Sequence, residues 1–163
     1  MINLKDKTIL FADMDGTLIQ TASGKTFPED CSDFRIRLNV LDDIIIKMPN
    51  IQYLFIVTNQ AGIPQYLTED DFIAKINAIT TFINDYINTG NQDNVVVDYQ
   101  YCLSSKGSND DRRKPNVGML EEHLDNWILN SEDKSDMLMI GDASGKKGDF
   151  SDCSTTIKKI FNK

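Results

Sequence analysis

The sequence predicts an α/β sandwich built on a mainly parallel sheet, and two observations carry that expectation. Four short apolar runs, Thr8 to Ala12, Tyr53 to Val57, Val95 to Tyr101 and Met137 to Ile140, are each bounded by polar or turn residues, which is the pattern of buried strands. Between them lie stretches of helical periodicity, and strands that alternate with helices pack as a sheet with helices on its faces. At 163 residues the chain fits one domain, 1–163, large enough to bury a single core.

The first helix is expected from about Ile36 to Lys47, where Ile36, Val40, Leu41, Ile44 and Ile45 share a face. Thr68 followed by Glu69, Asp70 and Asp71 reads as an N-cap with an acidic first turn, because the exposed N–H groups of a helix start favour an oxygen acceptor and negative charge. The helix that follows carries Phe72, Ile73, Ile76, Ile79, Phe82, Ile83 and Ile87, with Gly90 as its stop. A third helix is expected over Asn116 to Leu129 and a fourth over about Asp152 to Phe161. No repeat, low-complexity tract or linker interrupts the chain.

Composition narrows the function classes. Hydrophobic residues at 40% and charged residues at 26% are ordinary for a soluble globular protein. No apolar run of about 18 residues is present to span a membrane. The start, Met1 to Asp6, lacks the basic and apolar stretches of a signal peptide, so an intracellular, soluble protein is expected, cytoplasmic, or nuclear in a eukaryote. Cys31, Cys102 and Cys153 are odd in number and widely spaced, which favours free buried thiols over a disulfide framework. A net charge of −8 argues against nonspecific binding to a polyanion. The basic residues cluster at Arg112-Arg113-Lys114, Lys146-Lys147 and Lys158-Lys159, so a locally positive site is still available.

In a parallel sheet the active site lies at the carboxyl ends of the strands. The polar residues just past the four predicted strands are Asp13 and Asp15, Thr58 and Asn59, the segment after Tyr101, and Gly141-Asp142. Asp13 and Asp15 stand at i and i+2 and can face one bound group from an extended stretch. Asp13 is then the candidate nucleophile, forming an aspartyl-phosphate, and Asp15 the acid that protonates the leaving oxygen and later takes a proton from water. Gly16 permits a sharp turn whose backbone amides, around Met14 and Asp15, can cradle phosphate oxygens. The competing reading, a calcium loop, needs further acidic residues and a closing Glu, and Thr17 to Gly24 supply none.

Thr58 offers a hydroxyl and Asn59 a backbone N–H to a phosphate oxygen. Lys114, fixed by Pro115, can neutralise nucleophile and phosphate together, since two carboxylates and a phosphate repel one another. Asp142 supplies the metal carboxylate. Magnesium takes oxygen ligands and keeps waters, so Asp13, Asp142 and the Asp15 carbonyl are its expected protein ligands. Asp149 is a candidate for positioning Lys114 or a metal-bound water, and Thr17 and Arg113 for supporting the site or meeting substrate. His123 reads as an exposed or capping residue, Trp127 as core, and Asp110-Asp111 as part of a solvated loop.

Four motifs in this order, Asp13-x-Asp15-Gly-Thr, Thr58-Asn59, Lys114-Pro115 and Gly141-Asp142, resemble the haloacid dehalogenase superfamily of phosphohydrolases. Within it the chain resembles the polynucleotide 3′-phosphatase family, the phosphatase half of polynucleotide kinase/phosphatase. The discriminating stretches are Ser23-Gly-Lys-Thr-Phe-Pro28 and Asp149-Phe-Ser, beside Ser32-Asp33-Phe34-Arg35, Thr58 to Ile63, Arg113 to Met119 and Gly141 to Gly145. The resemblance implies a three-layer, Rossmann-like α/β/α sandwich with a minimal cap. It also implies magnesium-dependent removal of a 3′-phosphate from a DNA or RNA end or a related phosphomonoester, a role in DNA repair, and a separate kinase or ligase as partner. No G-x-x-x-x-G-K-[ST] motif is present, so no kinase activity is expected from these residues. Pro64-Gln65-Tyr66 also lacks the basic residues that often follow the Thr-Asn motif in that family.

Three other readings compete. A small-molecule phosphatase of the histidinol-phosphate or heptose-bisphosphate type shares the Thr-Asn-Gln-x-Gly and Arg-Lys-Pro motifs, but many such enzymes carry a zinc loop. Residues 102–113 hold one Cys and no His, which excludes a four-ligand zinc site there. A receiver-type signalling domain places its phosphorylated Asp after a central strand, where this chain has Thr58-Asn59. A binding module without catalysis would not need the complete quartet. Residues 16–35 leave room only for a small flap, and an open site admits a polymer end.

Overall fold

The computed structural model describes residues 3–89, 94–129 and 136–141. A short 3-10 turn (Leu4–Asp6) leads into β1 (Ile9–Ala12), followed by β2 (Ile19–Gln20), β3 (Arg35–Ile36), α1 (Leu38–Lys47), β4 (Tyr53–Asn59), α2 (Glu69–Asn88), β5 (Val96–Cys102), α3 (Gly118–Asn126) and β6 (Met137–Ile140). Four strands form a parallel sheet in the order β5-β4-β1-β6. The expected α/β architecture is therefore the observed one.

β1 is buried along its whole length because it lies inside the sheet with covered faces on both sides. Its side chains alternate. Leu10 and Ala12 join one core with Leu54, Ile56, α1 residues Leu41 and Ile44, and α2 residues Phe72, Ile76, Ile79, Ile83 and Ile87. Ile9 and Phe11 join the other with Phe55, Val57 and α3 residues Met119, Leu120 and Leu124. Three layers follow directly from that alternation. The expected helix over residues 152–161 and the expected stop at Gly90 lie outside the described residues, as does Cys153.

Thr68 caps α2 as expected: its Oγ1 accepts from Asp71 N–H at 3.1 Å. α1 begins two residues later than its periodicity suggests, because Ile36 pairs with Ile19 across the β2–β3 ladder instead of joining the helix. α3 is shorter at both ends. Its start is set by Gly118, whose N–H donates to Asp111 O at 2.9 Å and whose missing Cβ would lie 2.7 Å from that oxygen. Its end is set by Ile128 at φ 54, a left-handed conformation that helices adopt at their stop.

Four further expectations need correction. His123 is fully buried, with its ring stacked on Phe55 at 4.4 Å and its Nε2 3.1 Å from Ile56 O. Trp127 is 41% exposed; it follows the end of α3, and its Nε1 donates to Asp98 Oδ2 at 3.1 Å. Cys31 is half-buried rather than buried, whereas Cys102 is buried. Asp110 is not simply solvated: it accepts from Ser104 Oγ and from Arg112 N–H at 2.8 Å, and the Ser104 hydroxyl, then that amide, hold its carboxyl below the usual range.

Candidate active site

The carboxyl end of β1 carries Asp13. Its N–H donates to Ile140 O at 3.0 Å, so the ladder to β6 runs one residue past the strand and holds the Asp13 backbone in the sheet. The chain then turns sharply. Met14 O receives the N–H groups of Thr17, Leu18 and Ile19, Gly16 adopts φ 76, and Gly16 N–H closes onto Ile19 O at 2.9 Å. Met14 and Leu18 are wholly buried and peg this turn into the core, while Asp15 and Gly16 stay exposed on its outer side. Thr17 Oγ1 is buried and has no hydrogen-bond partner among the described residues.

β4 delivers the second group. Asn59 pairs with Cys102, and Gln60 N–H donates to Cys102 O at 2.7 Å, so Thr58 stands at the rim of the sheet and is 1% exposed. The third group comes from the loop between β5 and α3. Lys114 places its Nζ 2.5 Å from Asp13 Oδ1, although 101 positions separate them, and the two side chains are 2% and 12% exposed. Two opposite charges so far from water hold one another in place, and removing one partner of such a pair generally costs about 3–5 kcal/mol.

Side-chain amides fix these groups in ways the motifs alone do not reveal. Asn59 grips the Lys114 backbone from both sides: its Oδ1 accepts Lys114 N–H at 3.0 Å and its Nδ2 donates to Lys114 O at 3.2 Å. The Asn59 side chain is thereby spent on the lysine. Gln60 Nε2 donates to Asp15 Oδ2 at 2.8 Å and to Thr58 Oγ1 at 2.9 Å, tying the second aspartate to the threonine. Arg113 donates to Ser104 O at 2.6 Å, and Arg112 pairs with Glu122 at 2.6 Å.

A flap between the β1 turn and α1 borders the site. β2 and β3 pair antiparallel, Ile19 with Ile36 and Gln20 with Arg35. Asp33 staples its outer loop by accepting from Ser23 Oγ and Ser23 N–H, both at 2.7 Å, and from Glu29 N–H at 2.9 Å. The Ser23 hydroxyl foremost, and then the amides, pull the Asp33 carboxyl down to about 2. Ser23 to Pro28, one of the two discriminating stretches, therefore lies on this flap. Gln60, the Asn59 amide, Asp33 and Arg37 were all missed as site residues in the sequence. Only the hydrogen-bonding capacity of their side chains, in loops or at the end of a strand, hinted at them.

Asp13, Asp15, Thr58, Asn59 and Lys114 thus converge with Met14 at one end of the sheet, with Thr17 and Arg113 close behind in the same loops. Asp142 and Asp149 lie outside the described residues; Gly141, the neighbour of Asp142 in the chain, follows Ile140, which pairs with Ala12 at the end of β6. The donors at this rim are carboxylate and carbonyl oxygens, the hard ligands that suit magnesium rather than a thiophilic metal. Among the described residues no group of three or more His, Cys, Asp or Glu side chains forms a metal cluster, so Asp13 and the Asp15 carbonyl alone would make an incomplete site.

Comparison with known proteins bears on the family and the fold. The family model described as Polynucleotide kinase 3 phosphatase matches residues 8–161. A bifunctional polynucleotide phosphatase/kinase of Schizosaccharomyces pombe is 32% identical over 160 residues, 97% of this chain. The chain spans 35% of that relative's length. A protein of Mesorhizobium loti described as a HAD-like phosphatase superposes with a TM-score of 0.60 at 24% identity, covering 83% of this chain and 63% of that one. D,D-heptose bisphosphate phosphatase from B. bronchiseptica, solved with magnesium and phosphate, superposes with a TM-score of 0.56 at 15% identity, covering 95% of this chain and 98% of that one. At those identities the two structures establish the shared fold.

Proposed function

From the premise that the chain belongs to the polynucleotide kinase 3 phosphatase family, with a haloacid dehalogenase-type fold, we propose that it is a magnesium-dependent phosphomonoesterase that removes the 3′-phosphate from nucleic-acid ends. The observation that carries this reading is the buried contact between Lys114 Nζ and Asp13 Oδ1 at the carboxyl rim of the sheet.

Asp13 attacks phosphorus through a carboxylate oxygen and the ester oxygen leaves, giving an aspartyl-phosphate. Asp15, held toward the site by Gln60, gives its proton to that oxygen, which becomes the 3′-hydroxyl. In the second half Asp15 takes a proton from the water that releases phosphate. Thr58 Oγ1, the Lys114 ammonium and the amides of Met14 and Asp15 hold the phosphate oxygens, and Lys114 also keeps Asp13 oriented. Magnesium, held by Asp13, the Asp15 carbonyl and Asp142, would offset charge on the transferred group. A kinase or ligase acting on the same ends would come from another part of a longer protein or from a separate partner.

The test compares 3′-phosphorylated DNA and RNA oligonucleotides with small sugar phosphates, with magnesium and with a chelator. Oligonucleotide turnover that needs magnesium is the expected result; far more efficient turnover of sugar phosphates would overturn the substrate assignment. Asp13→Asn keeps an oxygen for Lys114 and should stay folded, yet it should abolish turnover. Retained activity in that variant would remove Asp13 from the nucleophile's role.

A further inference from the structure

Arg37 carries a charge that neither the fold nor the chemistry above uses. It immediately precedes α1, where its N–H donates to Leu18 O at 2.9 Å and its Nη1 donates to Gly16 O at 2.7 Å. Gly16 follows Asp15 in the turn that carries both carboxylates, so the guanidinium rests on the lip of the site. A carbonyl occupies one of the five guanidinium donors and brings no compensating charge.

Several other basic side chains on this acidic chain pair with carboxylates, Lys25 with Glu29, Lys47 with Asp43 and Arg112 with Glu122, while Arg113 is taken up by the Ser104 carbonyl away from the catalytic turn. Among the described residues Arg37 forms no ion pair. With 25 acidic residues against 17 basic ones, an arginine that forms no ion pair among the described residues and stands beside the catalytic turn is available to an anion that arrives from outside.

That anion is not the phosphate being cleaved. The reacting group meets Asp13, Thr58 and Lys114, all buried, whereas Gly16 and Asp15 lie on the exposed side of the turn. We propose that Arg37 holds a second phosphate of the substrate, the phosphodiester one nucleotide inward from the 3′-phosphate. The inference rests on the function proposed above and deepens it, because it makes the preferred substrate one with two phosphates on one strand. A guanidinium suits that task, since its planar fork can donate to two phosphate oxygens at once.

The probes are thymidine 3′-phosphate, which has only the scissile group, and the dinucleotide TpTp, which adds one phosphodiester. The wild-type protein should favour TpTp in kcat/KM by about tenfold, the discrimination expected for one charge-assisted contact. Arg37→Ala should reduce that preference to about twofold or less, mainly through KM, and should lower the slope of log(kcat/KM) against log salt for TpTp by about one. Arg37→Lys, which keeps the charge without the fork, should retain part of the preference. The ratio between the two substrates is the reading, because loss of the tie to Gly16 can slow both equally. An unchanged ratio in Arg37→Ala, or equal losses on both substrates, overturns the proposal while the proposed function stands. Failure of the wild-type protein to hydrolyse either nucleotide while it turns over sugar phosphates overturns both.

Discussion

Gln60 shows how one side chain can set the geometry of two others. Both hydrogens of its amide are committed, one to Asp15 Oδ2 and one to Thr58 Oγ1. Asp15 is otherwise an exposed carboxylate on a flexible stem, and a proton donor must sit within hydrogen-bond reach of the leaving oxygen. Gln60 restricts that stem from the neighbouring strand. A hydrogen bond to a charged group is worth about 1.5–3 kcal/mol, and each 1.36 kcal/mol of barrier is a factor of about ten. Gln60→Ala should therefore lower kcat by about ten- to a hundredfold, while KM stays within about threefold, because the phosphate's own partners remain. Steady-state kinetics on a 3′-phosphorylated oligonucleotide checks this; a change confined to KM would assign Gln60 to substrate binding instead. The Asn59 amide plays the corresponding part for Lys114, gripping its backbone on both sides so that the ammonium can reach Asp13.

Among the elements, α2 gives the clearest case of local sequence fixing local structure. Thr68 Oγ1 accepts Asp71 N–H and donates to Asp71 Oδ2 at 2.7 Å, and three acidic residues occupy the first turn. The cap also sits where the helix meets the rim of the sheet: Tyr101, at the end of β5, donates its hydroxyl to Glu69, which pushes the phenol up to about 12. Loss of such a cap costs about 1 kcal/mol. For a domain of this size Thr68→Ala should lower Tm by about 2–4 °C, measured by thermal melting with activity unchanged below the transition. This helix was legible because cap, charge and period all agree. So were the four strands of the sheet and Asp13, Thr58 and Lys114, since a parallel sheet gathers the residues past its strands at one end. β2 and β3 were not legible, because two-residue strands carry no period; Ile36 followed a helical spacing until its pairing with Ile19 decided otherwise. Gln60, Arg37 and the grip of the Asn59 side chain on Lys114 escaped for a different reason. Which partner an amide or guanidinium takes depends on where distant loops end, and no spacing in the chain encodes that.

At the scale of the whole molecule, the sheet divides the interior into two cores, and the one under α3 encloses the chain's single histidine. His123 is fully buried, stacked on Phe55 with Phe11 nearby, its Nε2 lies on Ile56 O, and its Nδ1 has no hydrogen-bond partner among the described residues, with Asp98 Oδ2 4.0 Å away. Burial pushes the imidazole below its ordinary value of 6.5; the Ile56 carbonyl and the charges of Asp98 and Glu122 oppose that shift without overcoming it. The ring is therefore neutral in the folded protein, with Nε2–H donating to Ile56 O. The unfolded chain takes up the proton first as pH falls, so the contribution to stability is complete above about 6.5 and declines as pH drops from there toward the folded value. Exposed carboxylates titrate mostly below about 5, so between pH 7.5 and 5.5 the histidine contributes separably. His123→Phe keeps an aromatic ring against Phe55 and cannot be protonated. Urea unfolding of both proteins at pH 7.5 and 5.5 should show the wild type losing stability on acidification, with a distinctly smaller loss in the variant. Equal losses in the two proteins would show that other groups carry the acid sensitivity and that the α3 core holds its histidine without linkage to pH.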